Sequence, residues 1–216
     1  MHNSVKNLIY IEDLIKSKAN DDKVAKIIAV SKTFPIENIL PLIEYGHIHY
    51  GENKVQEALD KWADLKNHNN KIKLHLIGGL QTNKVKFALK IFDYIRSLDS
   101  EKLATKIANE QIKQGKKLKL FIQVNIGNEN QKSGIKKEDL FDFYKFCKNL
   151  KLNIIGIMCI PPNDNNSANY FFEMNKIKER LDLKDLSMGM SSDYLEAINN
   201  SATFVRIGSK IFGSRG

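Results

Sequence analysis

Lys32 directly follows a short apolar run and is the residue best placed to do chemistry. The run, Ile27–Ser31, is expected to be a strand that ends where the lysine begins. An amine at the mouth of a barrel would be partly desolvated, which lowers its pKa and increases the neutral form that attacks an aldehyde. The chain holds 34 basic residues, of which thirty are lysines, so position alone favours an ordinary solvated lysine.

Small residues that could bind a phosphate follow the last two predicted strands. Ser191 is expected to open a helix, Ser191–Asn200, and Gly208 and Ser209 a last turn that leads to Gly213. Unpaired N–H groups at helix N-termini bind phosphate, and barrel phosphate sites commonly follow the seventh and eighth strands. Both serines can also be read as plain N-caps, a role compatible with phosphate binding.

Arg206 is one of four arginines and lies inside an apolar run, Phe204–Ile207. A buried guanidinium needs a partner, because leaving it unpaired costs several kcal/mol. The ring nitrogen of a bound cofactor is one candidate partner, and a structural carboxylate such as Glu52 is the other. The sequence leaves both open.

Short apolar runs alternate with longer amphipathic stretches along the chain. The runs are almost continuously β-branched or apolar, as strands buried on both faces require. The eight predicted strands are Ile27–Ser31, His47–Gly51, Lys73–Gly78, Tyr94–Leu98, Leu118–Asn125, Asn153–Cys159, Asp185–Gly189 and Thr203–Ile207. Three- and four-residue spacing of apolar positions predicts helices at Asn3–Ser17, Ile36–Tyr45, Ser100–Gln114, Lys136–Leu150 and Ser167–Leu181. The four prolines are expected to interrupt no helix interior.

This alternation predicts an α/β protein: a single-domain (β/α)8 TIM-type barrel over residues 1–216, with an extra N-terminal helix. An open doubly wound sheet is the alternative, but it would normally place a glycine-rich phosphate loop after the first strand. The turn 31–35 contains no glycine. In a barrel, the residues that end each strand gather at one face, where active sites lie.

Composition argues against several classes of function. The net charge is +9, but the lysines are spread along the chain, and the densest group, Lys113–Lys119, lies at a helix-to-strand junction where lysine is common. We therefore expect no nucleic-acid binding. No apolar run reaches about 18 residues and no secretory signal is evident. Cys147 and Cys159 show neither pairing nor metal-ligand spacing, so we expect a cytoplasmic protein with no metal, no membrane contact and two packed thiols.

Taken in order, these motifs resemble the pyridoxal phosphate homeostasis protein family, also described as alanine racemase N-terminal domain-like proteins. Any one motif is weak, whereas the ordered set is highly specific and covers nearly the whole chain from Ile27 to Gly216. The matching stretches are 29–33, 50–53 with 56–57, 75–78 with 80–81 and 83–84, 123–126, 132–134, 186–191 with Asp193, and 205–208 with 211–213.

The resemblance implies a barrel that binds pyridoxal 5'-phosphate (PLP) as a Schiff base on Lys32. It also implies that Arg206 faces the pyridine nitrogen and that Asn53 lies near the ring. The remaining cofactor-binding positions that it implies are Met190, Ser191, Gly208 and Ser209. Met158 and Met188 are expected to line the same pocket, while His75 and Lys84 are each open between a structural role and a cofactor contact.

Two functions are compatible with these residues: a carrier that buffers PLP and maintains vitamin B6 homeostasis, and a PLP-dependent amino-acid racemase or decarboxylase. Racemases built on this barrel add a β-domain that supplies an opposing acid/base group, and we expect this chain to lack it. An arginine at the pyridine nitrogen would also keep that nitrogen unprotonated and weaken the cofactor as an electron sink. The sequence therefore predicts a monomeric or weakly dimeric carrier without turnover that contacts PLP-dependent apoenzymes transiently.

Overall fold

A closed barrel of eight parallel strands forms the centre of the computed structural model, which describes residues 1–18, 24–129 and 131–213. The strands pair in chain order, and the first also pairs with the last to complete the ring. They are β1 Lys26–Val30, β2 His49–Glu52, β3 Lys73–Leu76, β4 Tyr94–Leu98, β5 Lys119–Val124, β6 Ile154–Cys159, β7 Asp185–Ser187 and β8 Phe204–Ile207. The predicted barrel is confirmed, and the open sheet is excluded.

Helices connect the strands and form the outer layer. Their bounds are α1 Asn3–Lys18, α2 Ile36–Tyr45, α3 Val55–His68, α4 Val85–Ile91, α5 Glu101–Gln114, α6 Leu140–Asn149, α7 Ser167–Arg180, α8 Tyr194–Asn199 and α9 Ser209–Phe212. A 3-10 turn, Thr82–Lys84, precedes α4. The extra N-terminal helix predicted from the sequence is α1, which packs its buried apolar face against α2, α8 and α9.

Pro41 lies inside α2, so the expectation that no proline interrupts a helix is wrong. Proline has no N–H to donate to the carbonyl four residues earlier, and its interior position costs about 3 kcal/mol. The helix nevertheless continues to Tyr45, and its Ile39 and Leu42 side chains are fully buried. Burial of two such side chains contributes roughly 3–6 kcal/mol, which offsets the cost of the proline.

The segment after β7 differs from its predicted form. The strand ends at Ser187 because Gly189 turns the chain with a φ of +84°. Glycine is required there, since a Cβ would lie only 2.6 Å from the Cβ of Ala197. The next helix begins at Tyr194 rather than at Ser191, and residues 191–193 form a turn instead.

Apolar side chains pack on both faces of the barrel sheet. The larger cluster lies between strands and helices, and a smaller cluster fills the barrel interior with Ile28, Tyr94, Phe121, Met158 and Phe204. The fully buried guanidinium of Arg96 lies between the rings of Phe121 and Phe204, with its carbon 4.1 and 4.2 Å from their centroids. A filled interior leaves the C-terminal ends of the strands as the place where side chains meet a ligand.

Candidate functional site

A cavity of about 750 Å³ opens at the C-terminal ends of the strands. Its volume is typical of small-molecule sites. All seven predicted cofactor-binding residues line it: Lys32, Asn53, Met190, Ser191, Arg206, Gly208 and Ser209. The other lining residues are Val30, Ile77, Gly78, Gly79, Gln123, Ser133, Ile160, Ser192 and Gly213. The fold therefore brings together predicted positions that are up to 177 residues apart in the chain, Lys32 and Ser209 being the farthest of the seven.

Lys32 lies in the turn that follows β1 and is half-buried at the cavity. The fully buried Ser31 before it holds this turn to β2. Its N–H donates to the carbonyl oxygen of Gly51 (3.0 Å), and its hydroxyl donates to Glu52 Oε1 (2.7 Å). The turn that carries the lysine is thus anchored to β2 directly after β1 ends.

Arg206 extends from β8 across the ends of the two preceding strands. Its Nη1 donates to the carbonyl oxygen (3.0 Å) and the Oγ (2.9 Å) of Ser187, and its Nη2 donates to the carbonyl oxygen of Cys159 (2.9 Å). The side chain is buried, and burial lowers the pKa of the guanidinium. Three hydrogen bonds hold the guanidinium in place. Because their acceptors are neutral oxygens, they do not neutralise its positive charge.

Glu52 is not the partner of Arg206, so this alternative is wrong. Its Oε1 accepts hydrogen bonds from Ser31 Oγ, Lys61 Nζ (3.0 Å) and Trp62 Nε1 (2.9 Å). The carboxyl is completely buried, and burial raises its pKa. Among the residues that the structure describes, no ion pair includes Arg206.

The loops after β7 and β8 are joined where the phosphate was predicted to bind. The N–H of Gly208 donates to the Oγ of Ser191 (3.3 Å). Ser191 therefore does not cap α8, and Ser209 is the first residue of α9 rather than its cap, so the plain N-cap interpretation is wrong for both. Met190 precedes this pair and is 36% exposed, which makes it an apolar part of the cavity wall.

Asn53 follows β2, and its backbone lies against that of Gly78, which follows β3. A Cβ at Gly78 would approach the carbonyl oxygen of Asn53 to 2.5 Å, so only a glycine permits the two backbones to come this close. At the adjacent Gly79, which also lines the cavity, an added Cβ would meet no atom within 4 Å. Gly78 thus contributes to the site by allowing Asn53 its position.

Two methionines expected at the cavity are packed in the core instead. Met158 is 1% exposed and belongs to the cluster inside the barrel, and Met188 is fully buried in the outer layer. Neither lines the cavity, so this expectation is wrong. Met158 lies in β6, where side chains alternate between the two faces of the sheet, and Met188 follows the end of β7. Proximity to a strand end therefore does not decide which way a side chain points.

His75 and Lys84 also lie away from the cavity lining. The His75 ring is completely buried inside the barrel, where it bonds the ring of His49 (2.9 Å) and the guanidinium of Arg96 (3.0 Å). Burial, with a further effect of Arg96, holds the pKa of His75 well below its usual value. Lys84 ends the 3-10 turn, with its Nζ 6.0 Å from the centroid of the Phe87 ring. The geometry gives His75 a structural role.

Several lining residues were not predicted as site residues. Gln123 lies in β5 and Ser133 in the loop that follows it, and the Gln123 side-chain amide donates to the carbonyl oxygen of Ser133 (3.0 Å). Both occur in stretches that carry the family resemblance, so a signal was present. Ile160 and Ser192 have side chains with no distinctive chemistry, and only the fold identifies them.

The charge of the lining favours an anionic ligand. Lys32 and Arg206 are basic, and the described part of the lining contains no Asp, Glu, His, Cys or Tyr. A cavity with one amine, one guanidinium and no carboxylate suits a phosphorylated aldehyde, because the amine can bind the carbonyl carbon and the net charge favours the phosphate. The donor set therefore fits PLP.

A second cavity of about 510 Å³ lies at the opposite, N-terminal ends of the strands and is rich in lysine. Lys66 donates to the carbonyl oxygen of Ile91 (3.0 Å) and to Asp93, and Lys116 donates to the carbonyl oxygen of Leu89 (3.2 Å). These acceptors lie at and just after the C-terminal end of α4, where cations are favoured. Lys66 and Lys116 in the lining of this cavity thus stabilise the fold.

Other chemistry is not supported within the ranges described. Cys147 and Cys159 are buried free thiols, as expected, and burial raises the pKa of each to about 12. No group of three or more His, Cys, Asp or Glu side chains in these ranges could hold a metal ion. None of their helices is both long and apolar enough to cross a bilayer.

Residues 12–216 match the family described as alanine racemase, N-terminal domain. The pyridoxal phosphate homeostasis protein of Pasteurella multocida is 35% identical over 216 residues, covering 95% of this chain and 93% of the relative. Among solved structures, PipY of Synechococcus elongatus without PLP gives a TM-score of 0.89 at 31% identity, covering 98% of this chain and 100% of PipY.

PipY with PLP bound gives a TM-score of 0.86 at 30% identity, over 97% of this chain and all of PipY. Alanine racemase of Clostridium difficile shares the fold, with a TM-score of 0.76 at 15% identity. That match covers 99% of this chain and 57% of the racemase. The chain therefore belongs to the alanine racemase N-terminal domain family and, within it, to the pyridoxal phosphate homeostasis proteins.

Proposed function

We propose that this protein binds PLP covalently through Lys32 and carries or buffers it in vitamin B6 homeostasis, without catalytic turnover of its own. The observation that carries this proposal is the cavity at the barrel mouth. It combines a half-buried amine with a buried guanidinium, and the described lining holds no carboxylate. The PLP-bound structure of the relative PipY supports the same ligand.

In this function, Lys32 acts as a reversible tether. Its neutral amine condenses with the aldehyde and releases one water molecule, and addition of water regenerates both partners. Arg206 would face the pyridine nitrogen. The remaining cavity residues would flank the ring or bind the phosphate: Asn53, Met190, Ser191, Gly208 and Ser209.

The lining also supports binding without turnover. Racemisation needs a second acid/base group on the face of the substrate opposite the lysine. Apart from Lys32 and Arg206, the described lining contains no ionisable side chain. Because a guanidinium stays protonated, Arg206 would donate to the ring nitrogen and keep it unprotonated, which weakens the cofactor as an electron sink.

We place this carrier in the cytoplasm, as one cofactor-binding unit over residues 1–216 that is monomeric or weakly dimeric and meets PLP-dependent apoenzymes transiently. The two buried free cysteines support a reducing compartment. The site lies at the open mouth of the barrel, where an apoenzyme could approach it, and this supports transfer of PLP by direct contact.

Borohydride trapping tests the tether. The wild-type protein is incubated with PLP and reduced, and the modified lysine is located by peptide mass spectrometry. We expect the adduct on Lys32, its loss in Lys32→Ala, and its retention in Lys84→Ala, a lysine outside the cavity. An undiminished adduct in Lys32→Ala would show that another residue holds the cofactor.

Absence of turnover is tested separately by incubating the PLP-loaded protein with a panel of amino acids. We expect no continuing release of carbon dioxide and no change in enantiomer ratio beyond the protein-free PLP control. Steady formation of either product, lost in Lys32→Ala, would identify an enzyme and exclude the simple carrier.

A further inference from the structure

Lys61 contacts the turn that carries Lys32 and the carboxylates beside it. Its Nζ donates to the carbonyl oxygen of Ser31 (3.0 Å), to Glu52 Oε1 (3.0 Å) and to Glu57 Oε1 (3.1 Å). An ammonium group has three N–H donors, so each of them has an acceptor here. The Lys61 side chain is 10% exposed, which shields these ion pairs from water.

Thr33, on the other side of Lys32, has a φ of +67°. This left-handed conformation is unusual for a β-branched residue and must be held by its surroundings. The N–H of Thr33 donates to Glu57 Oε1 (2.7 Å), the same oxygen that accepts from Lys61. The residue before Lys32 is therefore bound by Lys61 directly, and the residue after it is bound through Glu57.

The elements explain why these groups meet. Glu57 and Lys61 are four residues apart on α3, which places them on one side of the helix. Glu52 ends β2, the strand paired with β1. Partial burial opposes ionisation of Glu57, but the Thr33 N–H and Lys61 outweigh it and lower the pKa of this carboxyl.

We propose that Lys61 is a positioning residue for Lys32: its ammonium binds the Ser31 carbonyl and orients Glu57 for Thr33, which holds the Lys32 amine at the cavity. This inference rests on the proposed function. Without the ammonium, the Ser31 carbonyl oxygen would lose a donor, Glu57 would lose the group that orients it, and Thr33 would lose the constraint on its left-handed backbone. The turn would then relax, and the Lys32 amine would leave its position.

The experiment compares matched variants of the full-length protein. Lys61→Met removes the charge and keeps most of the side-chain length, and Lys61→Arg retains the charge. Lys66→Met is the control, because Lys66 lies on the same helix, is 18% exposed and is ion-paired with Asp93 (2.6 Å) at the opposite, N-terminal ends of the strands. The rate of borohydride-trappable PLP adduct on Lys32 is measured, together with amide hydrogen exchange of residues 31–34 in the ligand-free protein.

We expect adduct formation about tenfold slower in Lys61→Met, since misplacing a reacting group by an ångström has effects of this order or larger. Exchange at residues 31–34 should rise at least about tenfold, because the amides lose their constraint. Lys66→Met should behave as wild type in both measurements even if its thermal stability falls similarly, and Lys61→Arg should restore most of the rate.

Wild-type adduct formation and exchange in Lys61→Met would overturn the positioning role while leaving the proposed function intact. If the wild type itself formed no adduct on Lys32, the proposed function would fail, and hydrogen exchange alone would still decide whether Lys61 holds the turn. If Lys61→Met does not fold, Glu57→Ala at a part-exposed position replaces it. An unchanged rate and unchanged exchange in that variant would refute the bridge to Thr33.

Discussion

Replacing Gly78 by alanine should destabilise the barrel mouth, whereas the same change at Gly79 should be tolerated. The added Cβ at Gly78 would lie 2.5 Å from the carbonyl oxygen of Asn53, 3.0 Å from its Cα and 3.1 Å from its carbonyl carbon. All three are backbone atoms, so no side-chain rotation can relieve the clash. At Gly79 the new methyl group meets no atom within 4 Å.

The size of the effect follows from this geometry. Since real Cβ atoms do not approach other heavy atoms closer than 3.0 Å, the two backbones must separate by at least about half an ångström. Overpacking of this kind costs about 1–3 kcal/mol. For a chain of 216 residues this lowers the Tm by roughly 2–12 °C. Gly79→Ala should change stability by no more than about 1 kcal/mol, with a small gain from reduced freedom of the unfolded chain.

Thermal unfolding followed by circular dichroism measures the two Tm values in parallel. A PLP titration well below both transitions then reports on the site, where we expect weaker binding in Gly78→Ala because the shift moves Asn53. Gly79→Ala serves as the control, since it adds the same methyl group to the same cavity lining. Equal Tm values for the two variants, or a lower one for Gly79→Ala, would refute the reasoning.

Three further predictions concern other parts of the molecule. Arg206→Leu should lower the free energy of unfolding by on the order of 2 kcal/mol, because the oxygens of Ser187 and Cys159 lose their hydrogen-bond donor. Urea denaturation measures this change, and an unchanged midpoint would contradict the prediction. Cys147 and Cys159 should resist a thiol reagent in the native protein at pH 8, because both are buried and burial raises the pKa of each to about 12. Rapid labelling of either thiol without unfolding would refute this prediction. The free energy of unfolding should fall as the pH drops from about 6.5 towards 4. Burial lowers the pKa of His47 to about 4 in the folded protein, so in this pH range the ring binds a proton mainly after the chain has unfolded. His47→Gln should remove on the order of 2 kcal/mol of this loss, and parallel stability profiles of the two proteins would show that His47 is not its source.

The sequence by itself determines the architecture of this protein and the position of its site. Near-continuous β-branched runs separated by amphipathic helices are compatible with parallel strands covered on both faces, and eight of them close a barrel. Because parallel strands end on the same side, the order of strands in the sequence assigns seven residues to one face of the barrel: Lys32, Asn53, Met190, Ser191, Arg206, Gly208 and Ser209. The sequence did not determine every element end, as β7 and α8 show, because one glycine moves a boundary by two or three residues.

Only the tertiary structure decided the partners of those residues. Arg206 has neutral oxygens rather than Glu52 around it, Met158 and Met188 point into the core, and Ser191 accepts from Gly208 rather than capping a helix. Each outcome depends on where a side chain points in the folded barrel, and residue type and spacing do not determine that direction. Lys61 shows the limit most clearly. It is one of thirty lysines and lies in no motif, and its three hydrogen bonds form only when the chain folds.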